Sequence, residues 1–579
     1  MSRQVLFVFG SQACVPDDGL LAARQMDCTT TVMGAQLACC MSAELVDRFE
    51  RVDLKRPDRV VEAARRIHAA DPVHAVVAYD DQGTPLAARI AAALGLPGHP
   101  VEAADAARDK VMMKQRFQAA GIPIAPFTLA QDEDDAVRWA GENGYPVVVK
   151  PVRGSASQGV IRADDAEELR EAYRRLRRIV QENGLDCGGR SDAQQLVEGY
   201  IDGAELSVEL VVRGGIPSVL CVFEKPRPLT GPFFEETIYA TPARLATERR
   251  RDIEELAKRG VAALGLRDGF AHCEVRSGSQ GTFVLEIGAR LIGGACARVF
   301  RYVLGEDIHP YVLRVALGEE VEPPRQATGA AGAMMLPITR EGKLKSVQGV
   351  ERARQVPGIK DVILNTSPGE VIVPFPEQSC YVGFLTAQGE SVEDVERALS
   401  EAADRVDFVV EPLACETWLR DVTDQRSYRP PAELGIRTLE GCDLQRAEEL
   451  VVPLVAATYF AEFPETLGRV KAVHCLRWFE DGHRGDTSPS AWFVSEGRGV
   501  ALGSARGDTC YVSLLGVVPE QRKSGLGEAL VRSVMALFAG KGCIRMEIVV
   551  EPRQRGNMAF FRRLGFNLAT CDDHQCCSC

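Results

Sequence analysis

The chain has no surplus of positive charge. Against 81 aspartates and glutamates it carries 68 lysines and arginines, a formal net charge of -13 at neutral pH. A protein that neutralises a nucleic-acid backbone or an acidic membrane needs the opposite balance, so neither is expected as a partner, while small charged metabolites stay open. No apolar run approaches the roughly 18 residues of a membrane span. The opening stretch MSRQVLFVFGSQACVPDD holds an apolar run only from Val5 to Phe9 and no small-residue cleavage site, so it reads as a first β-strand and not as an export signal. The 18 cysteines are scattered at irregular spacing; in a chain without an export signal they read as free thiols of a cytoplasmic protein, not as a disulfide framework. No internal repeat is visible.

What is present is the composition of an ordinary soluble protein, 46% hydrophobic and 26% charged. A length of 579 residues exceeds one hydrophobic core and sets a prior of about four units. From Gln4 to Pro100, short apolar runs (VLFVF, AVVAY) alternate with helical ones (RVVEAARRIHAA, TPLAARIAAALGL), which predicts βαβ units and a parallel sheet. The segment AADAARDKVMMKQRFQAAGIPIAPF reads as one helix ended at Gly121 and Pro123. After it come a helix, a strand at Val147–Lys150, a Gly/Ser loop and a second strand. QQLVEGYIDGAELSVELVVRGG and CEVRSGSQGTFVLEIGARL read as antiparallel strands joined by glycine turns. DVTDQRSYRPPAELG, with Pro430-Pro431 and no apolar periodicity, is the linker candidate. The final nine residues, CDDHQCCSC, set His574 among four cysteines; they suit a soft metal or an oxidation-prone tail, and no metal is assigned to them.

Four features of the middle region bear on chemistry. Lys110 begins a helix and Lys150 ends a strand, so each sets an ammonium at an element end, where it can reach phosphate oxygens. The loop RGSASQG, Arg153–Gly159, has small residues at Gly154, Ser155, Ser157 and Gly159 that let backbone N–H groups approach an anion. It joins strand to strand and lacks Gly-Lys-Ser/Thr, so it is no Walker P-loop; alone, it reads more often as a mobile turn. Glu274 and Glu286 lie in strands joined by the turn RSGSQGT, so a hairpin sets their carboxylates side by side, where they repel unless a cation intervenes. Mg2+ bound by one or two carboxylates plus substrate phosphates fits such a pair, with Arg290 aimed at the same phosphates. His272, two residues before Glu274, shares its face and either touches substrate or is a satisfied structural histidine.

Asp109-Lys110, Lys150 with its loop, LVEGYIDGAELSVE and Glu274…Glu286…Arg290, in this order, resemble the ATP-grasp superfamily over about residues 1–420, nearest to the L-amino-acid ligases and related carboxylate–amine ligases. The resemblance implies that Lys110 and Lys150 bind ATP phosphates, that Glu198 lies against the adenine and Glu205 takes the ribose hydroxyls. It implies that Glu274 and Glu286 hold Mg2+, and that Arg290 stabilises charge on the transferred phosphoryl group and the tetrahedral intermediate. One departure stands out: Gly288 occupies the place where family members commonly carry Asn, so the metal site lacks an oxygen ligand. Biotin carboxylases share the grasp, but this chain has no Met-Lys-Met acceptor; the VMMK of Val111–Lys114 reads as helix core.

A second constellation lies nearer the carboxy terminus. In LLGVVPEQRKSGLGEALVRSVMALF, a strand leads through Arg522-Lys523-Ser524-Gly525-Leu526-Gly527 into a helix with apolar Leu530, Val534 and Leu537. A helix N-terminus opened by glycines suits a pyrophosphate. With FFRRLGF after it, the segment resembles the acetyl-CoA site of the GNAT acetyltransferases over about residues 436–570. The resemblance implies that Leu515 and Val517 run beside the pantetheine arm, that Arg522, Lys523, Ser524, Gly525, Gly527 and Glu528 hold the pyrophosphate, and that Asn557 lies near a CoA-contacting position. Many relatives have Tyr, the acid for the departing thiolate, where this chain has Phe561.

The fold expected is α/β and α+β multidomain. It comprises a pre-ATP-grasp βαβ domain (1–105), an ATP-grasp core (106–320), a C-terminal α+β ligase subdomain (321–420), a linker (421–435), a GNAT α/β domain (436–570) and a Cys-rich tail (571–579). The activity expected is ATP-dependent amide formation from an amino acid or other small carboxylate and an amine, through an acyl phosphate, joined to acetyl-CoA-dependent acyl transfer. A CoA-sensing regulatory module and a protein-acylating enzyme are the alternatives; a homodimer is left open.

Overall fold

The β-branched runs of the first hundred residues form strands buried on both faces. In a computed structural model, residues 2–10, 17–36, 41–324, 329–413, 416–440, 490–495, 498–506, 508–518, 521–522, 524–550 and 560–569 are described. The chain divides into two units, Met1–Pro412 and Leu413–Cys579.

In the first unit, Arg48–Arg51, Cys28–Gly34, Arg3–Val8 and Val73–Ala78 form a parallel sheet in that order. Alternation along Arg3–Val8 sends Val5 and Phe7 toward helix Asp17–Gln25 and Leu6 and Val8 toward helices Pro57–Ala70 and Thr84–Leu94. This is why the strand reads as an unbroken apolar run. The expected single helix after Pro100 is two, Val101–Arg108 and Lys110–Ala119. The break falls at Asp109, which is extended, and whose carboxylate caps the second helix by accepting from Met112 N at 3.1 Å.

A second sheet, all antiparallel, orders Phe127–Ala130, Gln195–Gly199, Val147–Lys150 and Ile161–Ala163. The two strands of QLVEGYIDGAELSVE do not pair with each other: Gln195–Gly199 stays in this sheet, while Ala204–Arg213 enters an eight-stranded one. The larger sheet runs Gly281–Gly288, Gly269–Gly278, Ala204–Arg213, Ile216–Glu224, Ile238–Thr241, Ala330–Leu336, Gly383–Gly389 and Ile359–Leu364, antiparallel throughout. Its last three strands come from the segment expected as a separate subdomain, so the 321–420 region extends the sheet of the grasp core. Helix Thr247–Leu264 sets Ile253, Leu256, Ala257 and Val261 on Val208, Leu210, Ala271 and Cys273. Helices Cys296–Val303 and Ile308–Ala316 join a core with Val211, Phe223 and Phe270.

In the second unit, the described strands are ordered Ile436–Glu440, Ser490–Ser495, Gly499–Arg506, Thr509–Val517, Arg545–Val550, Glu416–Asp421 and Asn567–Ala569. Helix Leu526–Gly540 buries Leu530, Val534 and Phe538 with Phe493, Ala501 and Ile548. Strand Glu416–Asp421, expected with the ligase, lies between two strands of this sheet. The stretch 421–435, expected as a linker, is folded into the same unit. Val422 is buried, Thr423 N and Oγ1 donate to Asp421 at 2.8 and 2.6 Å, and Gln425 accepts from Arg532 at 3.0 Å. Its polar residues satisfy one another in turns, which gives the composition of a linker without its freedom. Cys221, Cys273, Cys296, Cys510 and Cys543 are buried free thiols. No helix among the described residues is long and apolar enough to cross a membrane.

Phe300 is fully buried and meets Phe223 edge to face at 5.9 Å. Phe300→Ala should therefore lower stability by about 3–5 kcal/mol, read from the denaturant midpoint of the full chain. A loss below about 1 kcal/mol would show that this core is not close-packed.

Candidate functional site

Strand alternation builds the site. On Ala204–Arg213, Leu206, Val208, Leu210 and Val212 enter the helix core while Glu205, Ser207 and Glu209 face the other way. The neighbouring strand pairs His272 with Glu209, Glu274 with Ser207 and Arg276 with Glu205. On its other side His272 is opposite Gly288 and Glu274 is opposite Glu286, the juxtaposition expected of the hairpin. One face of three strands thus carries rows of acid and base.

Lys225 follows strand Ile216–Glu224, and its ammonium donates to Glu205 at 2.5 Å, Glu236 at 2.7 Å and Glu274 at 3.0 Å. Tyr239 donates its hydroxyl proton to Glu236 at 2.5 Å. Burial opposes the Lys225 charge, but the three carboxylates outweigh it and hold Lys225 well above the ordinary lysine range. Burial raises Glu236; Glu274, against the same burial, is driven well below the carboxylate range by Lys225 and His272. Glu205, Glu236 and Glu274 offer oxygens within 4.8 Å of one another. An all-carboxylate donor set fits a hard cation such as Mg2+, so the residues present suit the metal. Glu205, expected at the ribose, also accepts from Arg276 Nε at 2.8 Å.

His272 is buried, its Nδ1 2.5 Å from Glu209 and its Nε2 3.3 Å from Glu274. Both ring nitrogens are engaged, as in a satisfied structural histidine. Burial would lower its pKa, but Glu209 and Glu274 raise it to about 10. Glu209 also accepts from Ile292 N at 3.1 Å, which fixes the turn after Arg290.

Lys110 lies 2.9 Å from Glu286 and donates to Gly154 O at 3.2 Å. Lys150 pairs with Glu198, and so does Lys114, at 2.5 Å. The carboxylate expected against the adenine is thus clamped by two ammoniums: burial would raise Glu198, yet the lysines hold it at about 2. In the Gly/Ser loop Ala156 and Ser157 both have positive φ, 50° and 53°, a conformation costing about 1–3 kcal/mol each and concentrated at functional sites. The amide of Gly159, expected to face an anion, donates to Pro376 O at 2.9 Å, and that of Gln158 to Ser155 O at 3.2 Å. The turn is closed from within at that end.

Arg290 is gripped by Asp81: Nε and Nη2 donate to the two carboxylate oxygens at 2.9 Å each. Burial would raise Asp81, but Arg290 holds it at about 2; Arg290 itself is raised, Asp81 overcoming burial.

In the second unit, Thr509–Val517 is parallel to Arg545–Val550 over Thr509–Tyr511, and Leu515 and Val517 lie beyond that pairing. Arg522 Nε donates to Val517 O at 3.4 Å, Ser524 Oγ donates to Gln521 O at 2.7 Å, and Gly525 has φ 86° before helix Leu526–Gly540. Glu528 pairs with Arg532 at 2.8 Å. A Cβ on Gly527 would stand 3.5 Å from Val517 Cγ2, so strand and helix start lie close together. Phe561 is buried between Phe560 and Phe566, with ring centroids 5.0 and 5.5 Å away. Lys523, Asn557 and the cysteines of 571–579 lie outside the described residues.

Residues 143–299 match the ATP-grasp domain family, 22–98 the ATP-grasp N-terminal domain, 334–411 the L-amino acid ligase C-terminal domain 2, and 454–566 the acetyltransferase (GNAT) family. The chain thus carries ATP-grasp-family domains and a GNAT-family domain. It is similar to the crystal structure of an L-amino acid ligase from Bacillus licheniformis, with a TM-score of 0.60 and 26% identity over 71% of this chain and 99% of that one. It is 26% identical to the uncharacterized protein y4rH of Sinorhizobium fredii, over 67% of this chain and 78% of that protein. It is 28% identical to a D-alanine–D-alanine ligase of Pseudomonas putida, over 33% of this chain and 58% of the relative, so less than two thirds of that enzyme is spanned.

For an ATP-grasp enzyme the sequence reading missed Asp81, Lys114, Glu209, Lys225, Glu236 and Arg276. Glu209 and Arg276 had a signal: they continue the every-second-residue polar pattern of Glu205-Ser207 and His272-Glu274. Asp81 had none, because its partner lies 209 positions away.

Because Glu198 is depressed from 4.5 to about 2, its contribution to stability is complete above pH 4.5 and is lost as pH falls toward 2. Urea unfolding across that window should show wild-type stability falling more steeply than that of Glu198→Gln. The variant should also be about 3–5 kcal/mol less stable at neutral pH. Parallel curves for the two proteins would contradict the clamp.

Proposed function

We propose that the first unit joins a small carboxylate, of the amino-acid class, to an amine at the expense of ATP, and that the second unit uses acetyl-CoA. The observation that carries the ligase reading is the face on which Lys225, Arg276 and His272 neutralise Glu205, Glu209, Glu236 and Glu274, with Lys110–Glu286 and Arg290 at its edge. Such a face counters both phosphate and cation. The names of its relatives, L-amino acid ligase and D-alanine–D-alanine ligase, support the substrate class.

In this reading the carboxylate oxygen attacks the terminal phosphorus of ATP, the bond to the bridging oxygen breaks, and ADP leaves with that bond pair. The amine then attacks the acyl carbon, the C–O bond breaks with its pair going to the phosphate oxygen, and the nitrogen gives up a proton, leaving amide and inorganic phosphate. Lys110 and Lys150 hold phosphate oxygens, Glu198 and Glu205 border the nucleoside, and Arg290 counters charge on the phosphoryl group. Glu274, one of the clustered carboxylates, and Glu286 opposite it would hold Mg2+, which would supply neutralisation of phosphate charge. Alignment and charge neutralisation do most of the work. We assign the ligase to residues 1–412 and the acetyl-CoA site to the stretch from Leu515 to Glu528.

A second reading of the GNAT-family domain is favoured by Phe561. Its ring is core, and it offers no hydroxyl where many relatives have Tyr; a domain without that acid would bind acetyl-CoA and report its level without transferring the acyl group.

Purified full chain with ATP, Mg2+ and a panel of amino acids, with and without acetyl-CoA, should release phosphate and yield a condensed mass; no ADP and no new mass from any pair would sink the ligase reading. Glu286→Gln should abolish ligation, by about 100-fold or more, and leave acetyl-CoA binding by calorimetry unchanged. Chelating the metal should stop phosphate release reversibly. An acetylated product separates transfer from sensing.

A further inference from the structure

Arg290 and Asp81 meet from distant parts of the chain, and both are largely enclosed, with 14% and 17% of their side chains exposed. Asp81 sits in the turn after strand Val73–Ala78. The turn is fixed by its neighbour Asp80, a buried carboxylate that accepts from Gly10 N at 2.7 Å, Gln82 N at 3.0 Å and Gly83 N at 2.7 Å. Asp81 is therefore delivered at a set place, and its two oxygens take the Nε and Nη2 edge of the guanidinium as a parallel pair of bonds, the geometry in which arginine is most directional. Nη1 donates to Leu291 O at 3.0 Å. Of five guanidinium N–H groups, three are thus used to orient the head; among the described residues the other two are not engaged.

Gly288 stands beside this pair. A Cβ added there would lie 3.4 Å from Asp81 Oδ1 and 3.6 Å from Arg290 Cγ and Cζ. Gly288 has no left-handed φ, so its backbone would admit any residue. A Cβ alone would sit there in ordinary van der Waals contact, and a longer side chain turned toward the pair would press on the carboxylate or the guanidinium.

We propose that Asp81 is the positioning residue for Arg290 and that position 288 is glycine to admit the Asp81 carboxylate. The amino-terminal sheet thereby sets the group that counters phosphoryl charge, and the volume an asparagine side chain would fill at 288 is given to an aspartate supplied from elsewhere in the chain. This rests on the reading of Arg290 as a phosphate-facing group.

Two measurements on the full chain test it. In steady-state ligation, Asp81→Ala should lower kcat by about 10–100-fold with KM for ATP changed less than about threefold, and Asp81→Asn, which keeps one accepting oxygen, should fall between. In an Arg290→Lys background, whose ammonium cannot take the fork, Asp81→Ala should change kcat less than about twofold; an equal loss in both backgrounds would make Asp81 merely structural and overturn the proposal. The second measurement needs no substrate. Gly288→Asn should lower the urea midpoint in the wild-type background and lower it clearly less in the Asp81→Ala background, because the crowding partner is gone. Equal shifts would refute the role given to Gly288. If wild type ligates nothing, the functional reading fails, while the stability cycle still decides whether Asp81 and Gly288 compete for one space.

Discussion

The first unit depends on one constraint, the alternation of side chains along antiparallel strands. In Ala204–Arg213 the strand cannot place Val208 and Leu210 on helix Thr247–Leu264 without turning Ser207 and Glu209 to the opposite face. Gly269–Gly278 keeps this parity throughout and Gly281–Gly288 keeps it from Glu286 onward, past a register shift, so His272, Glu274, Arg276 and Glu286 arrive in register with them. Burial of one face holds the register, and a slip by one residue would exchange core and site. Packing and chemistry are therefore fixed by the same pairing.

Charges brought together this way must be neutralised. Lys110 is held by Glu286, Lys150 and Lys114 by Glu198, and Lys225 by three carboxylates. The site's cations are thus paired to the acids that would meet a metal or a nucleoside. Releasing Lys110 or Lys225 to a phosphate and placing Mg2+ on Glu286 or Glu274 would be linked, since each leaves the other's partner exposed. Arg290 differs, because its partner Asp81 comes from outside the grasp core. Buried, paired charges of this kind specify geometry more than they add stability.

Much of this was legible in the sequence. The parallel sheet and the hairpin of Glu274 and Glu286 follow from local periodicity, which a strand or helix expresses within a few residues, while the ordered motifs were legible through their resemblance to known families. Four features did not. Asp109 breaks a helix whose apolar pattern runs through it, because its carboxylate also gathers Arg153 and Arg190 from later in the chain. The stretch 421–435 has the composition of a linker but satisfies its polar groups in local turns and through Arg532. Asp81 meets Arg290 through topology alone. Gly288, read as a place that lacks an oxygen ligand, also lies where an added Cβ would stand 3.4 Å from the Asp81 carboxylate.

In the proposed reading, the charged strand face activates a carboxylate through an acyl phosphate. The most direct measurement labels both carboxylate oxygens of an accepted amino acid with heavy oxygen and weighs the phosphate released during ligation. The account predicts one heavy oxygen per phosphate, with the other retained in the amide. Unlabelled phosphate, or label appearing in AMP, would contradict it.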